Sequence, residues 1–196
     1  MIDVRIGAKA FGGATVLGEI AFRVEAGERV AILGPSGIGK TTLLRIVAGL
    51  DTDFEGTVER PERLAMVFQE PTLLPWRSAL ANVALTTRVS EGEARARLTE
   101  VGLGGRADHF PGQLSLGQQR RLALARAFAA RPRLLVLDEP FASLDDALAD
   151  EMMTLAATLF GHHETTVLLV THSAREANRL TSRTLRLSGN PAQLLE

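Results

Sequence analysis

Between Gly34 and Thr41 the chain reads Gly34-Pro35-Ser36-Gly37-Ile38-Gly39-Lys40-Thr41, matching G-x-x-x-x-G-K-[ST] at every fixed position. An apolar run, Val30-Ala31-Ile32-Leu33, leads into it. Leu43, Leu44, Ile46, Val47 and Leu50 follow at helical spacing, with Gly49 near the end. A strand must therefore turn into a helix through a glycine-rich loop. The residue types have a chemical reason. Triphosphate oxygens need several converging backbone N–H donors, and glycine lets the backbone curl closely enough to supply them. The helix start adds the positive end of its dipole. Lys40 would neutralise the β- and γ-phosphates, the Thr41 hydroxyl would ligate Mg²⁺, and Thr42 in the same turn would belong to the nucleotide-binding loop. An ordinary glycine turn is the competing reading; the flanking elements and the placement of the lysine weigh against it.

Lysine is scarce: Lys9 and Lys40 stand against twenty arginines. Codon bias accounts for such a ratio, yet it makes each retained lysine informative. Overall charge nearly balances, with 22 Lys+Arg against 23 Asp+Glu in 196 residues, unlike a general nucleic-acid binder. The chain has no cysteine, which excludes disulfides, thiolate metal sites and a cysteine nucleophile. The first residues show no secretory pattern, and no apolar run reaches the roughly 18–20 residues of a membrane helix. The expectation is a soluble, intracellular domain that reaches any membrane through a partner.

Two more short apolar runs, Leu134–Leu137 and Val167–Val170, suit strands buried on both faces of a parallel sheet. The first ends in Asp138-Glu139 and the second in Thr171-His172. Ligands of open α/β sheets bind outside the carboxyl ends of strands, so three strands deliver Gly34–Thr42, Asp138-Glu139 and His172 to one rim. The stretch 71–132 reads as helical. Ser90-Glu91-Gly92-Glu93 and Ser115-Leu116-Gly117-Gln118 are both capping-box patterns, the first opening a helix that stops at Gly102. The organisation expected is one domain, 1–196. Its α/β core, 1–70 and 133–196, is mostly parallel with an antiparallel β edge, and a helical subdomain, 71–132, is inserted.

Asp138 and Glu139 would be costly to ionise at the end of a buried strand unless a cation lies nearby. Asp138 fits a Mg²⁺ partner, directly or through water, and Glu139 fits the group that orients or deprotonates an attacking water. Solvated carboxylates before Pro140 are the plainer alternative. His172 is either structural or, at that rim, a hydrogen-bond partner for a γ-phosphate. His109, His162 and His163 have no such setting and are read as surface residues.

These residues, in this order, resemble the nucleotide-binding subunit of an ABC transporter over nearly the whole chain. The order is Phe11, the phosphate loop, Gln69, the signature Leu114-Ser115-Leu116-Gly117-Gln118, Leu134–Glu139, Ser143-Leu144-Asp145 and His172. The resemblance implies a P-loop NTPase fold that hydrolyses ATP with Mg²⁺. It also implies a head-to-tail homodimer in which the phosphate loop of one copy meets Ser115, Gly117 and Gln118 of the other. Phe11 would stack on adenine, although core packing is the alternative. Gln69 would touch Mg²⁺ or the water, and Asp145 would communicate across the dimer. Gln69–Trp76, with its Leu73-Leu74-Pro75-Trp76, is similar to the surface that receives a coupling helix of a membrane permease. It also resembles the importer group for nitrate, sulfonate, taurine and thiamine-precursor molecules; packing of Trp76 inside the subdomain is the alternative. A peripheral position on the inner face of the cell membrane and a solute-binding protein as a further partner follow from the same resemblance.

Three departures stand out. Leu116 occupies a position where the family usually has glycine, which would loosen closure if positive φ were needed. The stretch from Gly56 to Gln69 is short, so the antiparallel edge near Val58 and Leu64–Phe68 is expected to be trimmed. Few residues follow His172, so no regulatory C-terminal domain is expected. Arg120, Arg121, Arg126, Arg131 and Arg133 read as a solvated or salt-bridged surface; an ABC ATPase acting on nucleic acid or a cell-envelope complex is the alternative function.

Overall fold

The structure is a computed structural model and describes residues 1–195. Its strands are β1 (Ile2–Phe11), β2 (Ala14–Leu17), β3 (Ile20–Val24), β4 (Arg29–Leu33), β5 (Glu55–Glu59), β6 (Leu64–Val67), β7 (Leu134–Asp138), β8 (Thr166–Thr171), β9 (Arg183–Ser188) and β10 (Gln193–Leu195). Its α-helices are α1 (Lys40–Ala48), α2 (Ala79–Thr87), α3 (Glu91–Glu100), α4 (Leu116–Ala129), α5 (Asp146–His163) and α6 (Ala174–Leu180). Contacts divide the chain into two compact units: residues 1–66, 133–139 and 164–196, and residues 67–132 and 140–163.

The first unit carries two sheets. Ile2, Val4 and Ile6 alternate with Asp3 and Arg5 along β1, so one face of the strand is buried and the other is not. β1 pairs antiparallel with β2, β3 and β5. The second sheet has the order β10-β9-β4-β8-β7-β6. β4 runs parallel to β8 and β9, and β7 runs parallel to β8. Every residue of β7 and β8 is buried, as their unbroken apolar runs require in a covered parallel sheet. Leu43, Leu44, Ile46 and Val47 of α1 join Val30, Ile32, Val136 and Leu168 in one core. One expectation about the edge is corrected. Val58 does lie on the antiparallel sheet, opposite Val4, but Leu64–Val67 forms the border strand beside β7 in the other sheet. Arg63 explains the placement, because its carbonyl accepts the Arg133 N–H at 2.8 Å and ties this strand to the start of β7.

The second unit is helical. Ser78, Ser90 and Ser115 cap α2, α3 and α4 by accepting backbone N–H groups, and both expected capping boxes form. Leu98, Leu122, Phe128 and Phe160 are buried here. The unit differs from the span 71–132 by taking in residues 140–163 as well, and α5 packs on α4. Arg120 contributes to that packing by donating to the carbonyls of Pro140 and Ala142.

Of the arginines read as a solvated or salt-bridged surface, Arg121 and Arg131 are salt-bridged, to Glu151 and Glu93, and those of α4 also bond to backbone carbonyls. Arg121 donates to the Val101 carbonyl at 2.8 Å, and Arg126 donates to the Thr72 carbonyl at 2.8 Å and to that of Pro71 at 3.2 Å. His163 is not a simple surface residue. Its ring stacks on Phe128 at 4.9 Å, and its Nε2 lies 3.1 Å from a carboxylate oxygen of Glu100. The 3.6-residue period marks which faces of α4 and α5 are apolar, but it carries no information on which cation finds which carbonyl.

Candidate active site

β4, β7 and β8 are adjacent and parallel, so their carboxyl ends lie side by side. From β4 the chain enters Gly34–Gly39 and turns into α1. Gly37 has φ of +79° and Gly39 φ of +106°, a region that side chains resist. A Cβ on Gly39 would also lie 2.7 Å from Leu17 Cδ2, so this position tolerates nothing larger. α1 starts with no side-chain cap and no acidic residue in its first turn. In contrast, α2, α3, α4 and α6 are each capped by a serine. The first N–H groups of α1 are thus left to an anion from outside the helix. Pro35, Ser36 and Gly37 are exposed, Ile38 packs partly against the core, and Thr41 and Thr42 begin the helix.

The chemistry-bearing side chains of this unit converge. Lys40 is buried, and its Nζ donates to the carbonyls of Gly34 and Pro35, both at 2.9 Å. The same ammonium lies 3.1 Å from Glu139 Oε1. The other Glu139 oxygen lies 3.1 Å from His172 Nδ1. Thr41 Oγ1 donates to Asp138 Oδ1 at 3.2 Å. Burial pushes the Asp138 carboxyl above the ordinary aspartate value and neighbouring Glu139 adds to this, while Thr41 and Lys40 act against it. Asp138 is therefore a buried carboxylate that a cation would relieve.

Two residues sit in unusual backbone settings. Glu139 has φ of +45°, while its N–H still donates to the Val170 carbonyl at 2.9 Å. It leaves the sheet by a sharp turn, which swings its side chain toward Lys40 and His172. The His172 turn is fixed by its neighbours. The Thr171 hydroxyl donates to Glu176 at 2.6 Å and accepts the Ser173 N–H at 3.0 Å, and Ser173 caps α6. The sequence reading missed Thr171, Ser173 and Glu176; a serine three residues before a glutamate was the available signal.

The remaining expected residues are distributed as follows. Phe11 ends β1 with its side chain about half exposed, at 52%, which removes core packing as its explanation. Ser115, Gly117, Gln118 and Asp145 belong to the second unit. Ser115 Oγ accepts the Gln118 N–H at 3.3 Å, and the Ser115 N–H donates to Gln118 Oε1 at 3.0 Å, so the hydroxyl proton remains available to an anion. Gly117 has close neighbours: a Cβ there would lie 2.9 Å from Leu148 Cδ1. Asp145 accepts the Leu148 N–H at 2.9 Å and so caps α5. Leu116 is the first residue of α4 and half exposed, and it is not among the residues with positive φ. The condition under which it would loosen closure, a positive φ, is therefore not met here. Gln69 is exposed just beyond β6 and also belongs to the second unit.

Comparison with known proteins decides the family. A family model described as ABC transporter matches residues 17–142. The chain belongs to the ABC transporter ATP-binding family. An aliphatic sulfonates import ATP-binding protein SsuB 3 of Nocardia farcinica is 47% identical to it over 188 residues, which is 95% of this chain and 76% of that one. The SsuB of Granulibacter bethesdensis is 49% identical over 179 residues, covering 90% of this chain and 75% of its own. Among solved structures, the dimeric post-hydrolysis ATP-binding cassette MJ0796 bound to ADP and Pi superposes with a TM-score of 0.85 at 29% identity. The match covers 100% of this chain and 97% of that one. As a member of the ABC transporter family, the protein has the mixed α/β P-loop NTPase fold and is an ATP-binding, ATP-hydrolysing transport motor. No helix among the described residues is long and apolar enough to cross a membrane.

Proposed function

We propose that this chain powers import of a small sulfonate-like solute, working as one of two copies that close head to tail over ATP against permease subunits at the inner face of the cell membrane. The observation that carries the reading is the continuous polar chain Lys40–Glu139–His172 at the carboxyl ends of β4, β7 and β8. Lys40 and the N–H groups of Gly34–Thr42 hold the triphosphate, and Phe11 takes the adenine. Thr41 and Asp138, with Gln69, would hold Mg²⁺, which supplies charge neutralisation to the phosphate oxygens; paired hard oxygen donors, one of them a buried carboxylate, suit that ion. Glu139 accepts a proton from the attacking water, and His172 holds the Glu139 carboxylate in place. Ser115, Gly117 and Gln118 of a second copy complete the anion site, and its Asp145 borders it. Most of the rate gain is positioning and electrostatic stabilisation of the transferring phosphoryl group.

Relatives named for aliphatic sulfonate import support the solute class, and a solute-binding protein on the far side of the membrane would deliver it. Support for the permease contact comes from Trp76, whose side chain is 68% exposed. Its loop is nonetheless well held, because the buried Asn82 bonds to the Leu74 N–H and to the carbonyls of Leu74, Arg77 and Ser78. The arginines of α4 bond to this chain's own carbonyls, which weighs against the nucleic-acid alternative. Glu139→Gln tests the catalytic core. Hydrolysis should fall by about two orders of magnitude or more while ATP binding persists, and sedimentation should show an ATP-dependent dimer. Wild-type turnover in that variant would remove Glu139 from the role.

A further inference from the structure

Of the two lysines in the chain, the phosphate loop explains only Lys40. Lys9 lies near the end of β1, opposite Leu17 of β2, where the pairing register shifts between Lys9 and Ala10. Such an irregularity re-aims side chains. The Lys9 side chain is 2% exposed, and its ammonium donates to Asp51 Oδ1 at 3.0 Å, to Asp53 Oδ2 at 3.3 Å and to the Asp53 carbonyl. The same nitrogen lies over the Phe11 ring, 4.6 Å from its centroid. Three acceptors match the three N–H bonds of an ammonium, whereas a guanidinium would spread its donors over a plane. That is a physical reason for lysine in a chain that uses arginine nearly everywhere else.

The contact also joins two parts of the nucleotide site. Asp51 and Asp53 follow the glycine that ends α1, and the Leu50 and Asp51 N–H groups both donate to the Arg45 carbonyl. Lys9 therefore links the far end of the phosphate-loop helix to the aromatic ring. Because the ammonium is buried and the ring is half exposed, the ring face that Lys9 covers is the one turned toward the protein.

We propose that Lys9 is a positioning residue for the nucleotide base: it holds the Phe11 ring from beneath, leaving the opposite face ready to stack. This rests on the reading of Phe11 as the adenine-stacking residue. A cation over an aromatic face attracts it through the ring quadrupole, and a ring fixed before binding loses less freedom when a base arrives. Burial works to lower the Lys9 pKa, but Asp51 and Asp53 outweigh it and hold it above the ordinary lysine value. The charge is therefore present throughout the neutral range.

Calorimetric binding of ATP and of inorganic tripolyphosphate, which has no base, separates the possibilities when combined with KM and kcat. Phe11→Ala should weaken ATP about tenfold and leave tripolyphosphate unchanged. Lys9→Met should raise both Kd and KM for ATP about three- to tenfold, with kcat within about twofold and tripolyphosphate unaffected. In the double variant, Lys9→Met should add nothing to Phe11→Ala. A full additional loss in the double variant, or an equal loss for tripolyphosphate, would show that Lys9 only braces the Asp51–Asp53 loop, and the proposal would be wrong. Wild-type ATP affinity in Lys9→Met would also overturn it. Unchanged ATP affinity in Phe11→Ala would instead defeat the Phe11 reading, and the proposal with it. Lys9→Arg keeps the charge but not the compact geometry and should show the same ATP-only loss, so it decides the question if Lys9→Met does not fold.

Discussion

At the scale of single residues, Asp138 and Glu139 are neighbours in sequence with opposite surroundings. Glu139 is answered by Lys40 and His172, whereas Asp138 is buried with a raised pKa and only the Thr41 hydroxyl donating to it among the bonds described. A carboxyl whose folded pKa lies above its unfolded value weakens the fold as pH rises from the ordinary value of 3.8 through the raised one. Asp138→Asn keeps an oxygen to accept from Thr41 and removes the buried charge. It should stabilise the nucleotide-free protein by about 1 kcal/mol at pH 7, with the gain vanishing below the ordinary aspartate range, while hydrolysis is lost. Denaturant titrations across pH check this. The opposed environments were not legible in the sequence, where the two residues form one dipeptide at a strand end. Direction of exit decides them, and that depends on the positive φ of Glu139.

Helices and strands show which patterns carry information. Both capping boxes, the strand-loop-helix around Lys40 and the buried runs of β7 and β8 were legible because they rest on local spacing. The partner of β6, the internal bonds of the α4 arginines and the His163–Glu100 contact were not, since each joins residues far apart in the chain. Two predictions belong at this scale, one from the His163–Glu100 contact and one from the Asn82 bonds. Glu100 is raised by burial but lowered more strongly by Arg97 and His163, so its pKa lies below the ordinary 4.5. Its contribution is present above pH 4.5 and lost as pH falls through the folded value. Glu100→Gln should cost on the order of 1 kcal/mol at pH 7, and the gap to wild type should close in acid, as thermal melts across pH would show. Asn82→Ala removes the acceptor of the Leu74 N–H and the side-chain donor to the carbonyls of Leu74, Arg77 and Ser78. A loss of about 2–3 kcal/mol in denaturant midpoint analysis is expected, with the largest rise in hydrogen exchange at Leu74–Ser78.

For the molecule as a whole, the family pattern was legible because its motifs are spaced along the chain, whereas each motif's neighbours were not. Phosphate-loop and signature residues fall in different compact units, and the proposed site needs the signature of a second copy. ATPase activity should therefore rise more steeply than linearly with protein concentration when the protein is dilute, and dilution series with coupled phosphate detection test it. A strictly linear dependence down to nanomolar protein would oppose the two-copy site. Trp76 has a practical consequence of its own. The chain contains one tryptophan and no tyrosine, so excitation at the red edge of indole absorption reports on a single exposed loop. A solvated indole emits at long wavelength and shifts to the blue when covered. If that loop is the surface that meets the permease, as proposed, the native protein carries an unlabelled optical gauge there, able to time engagement and release within a single catalytic cycle.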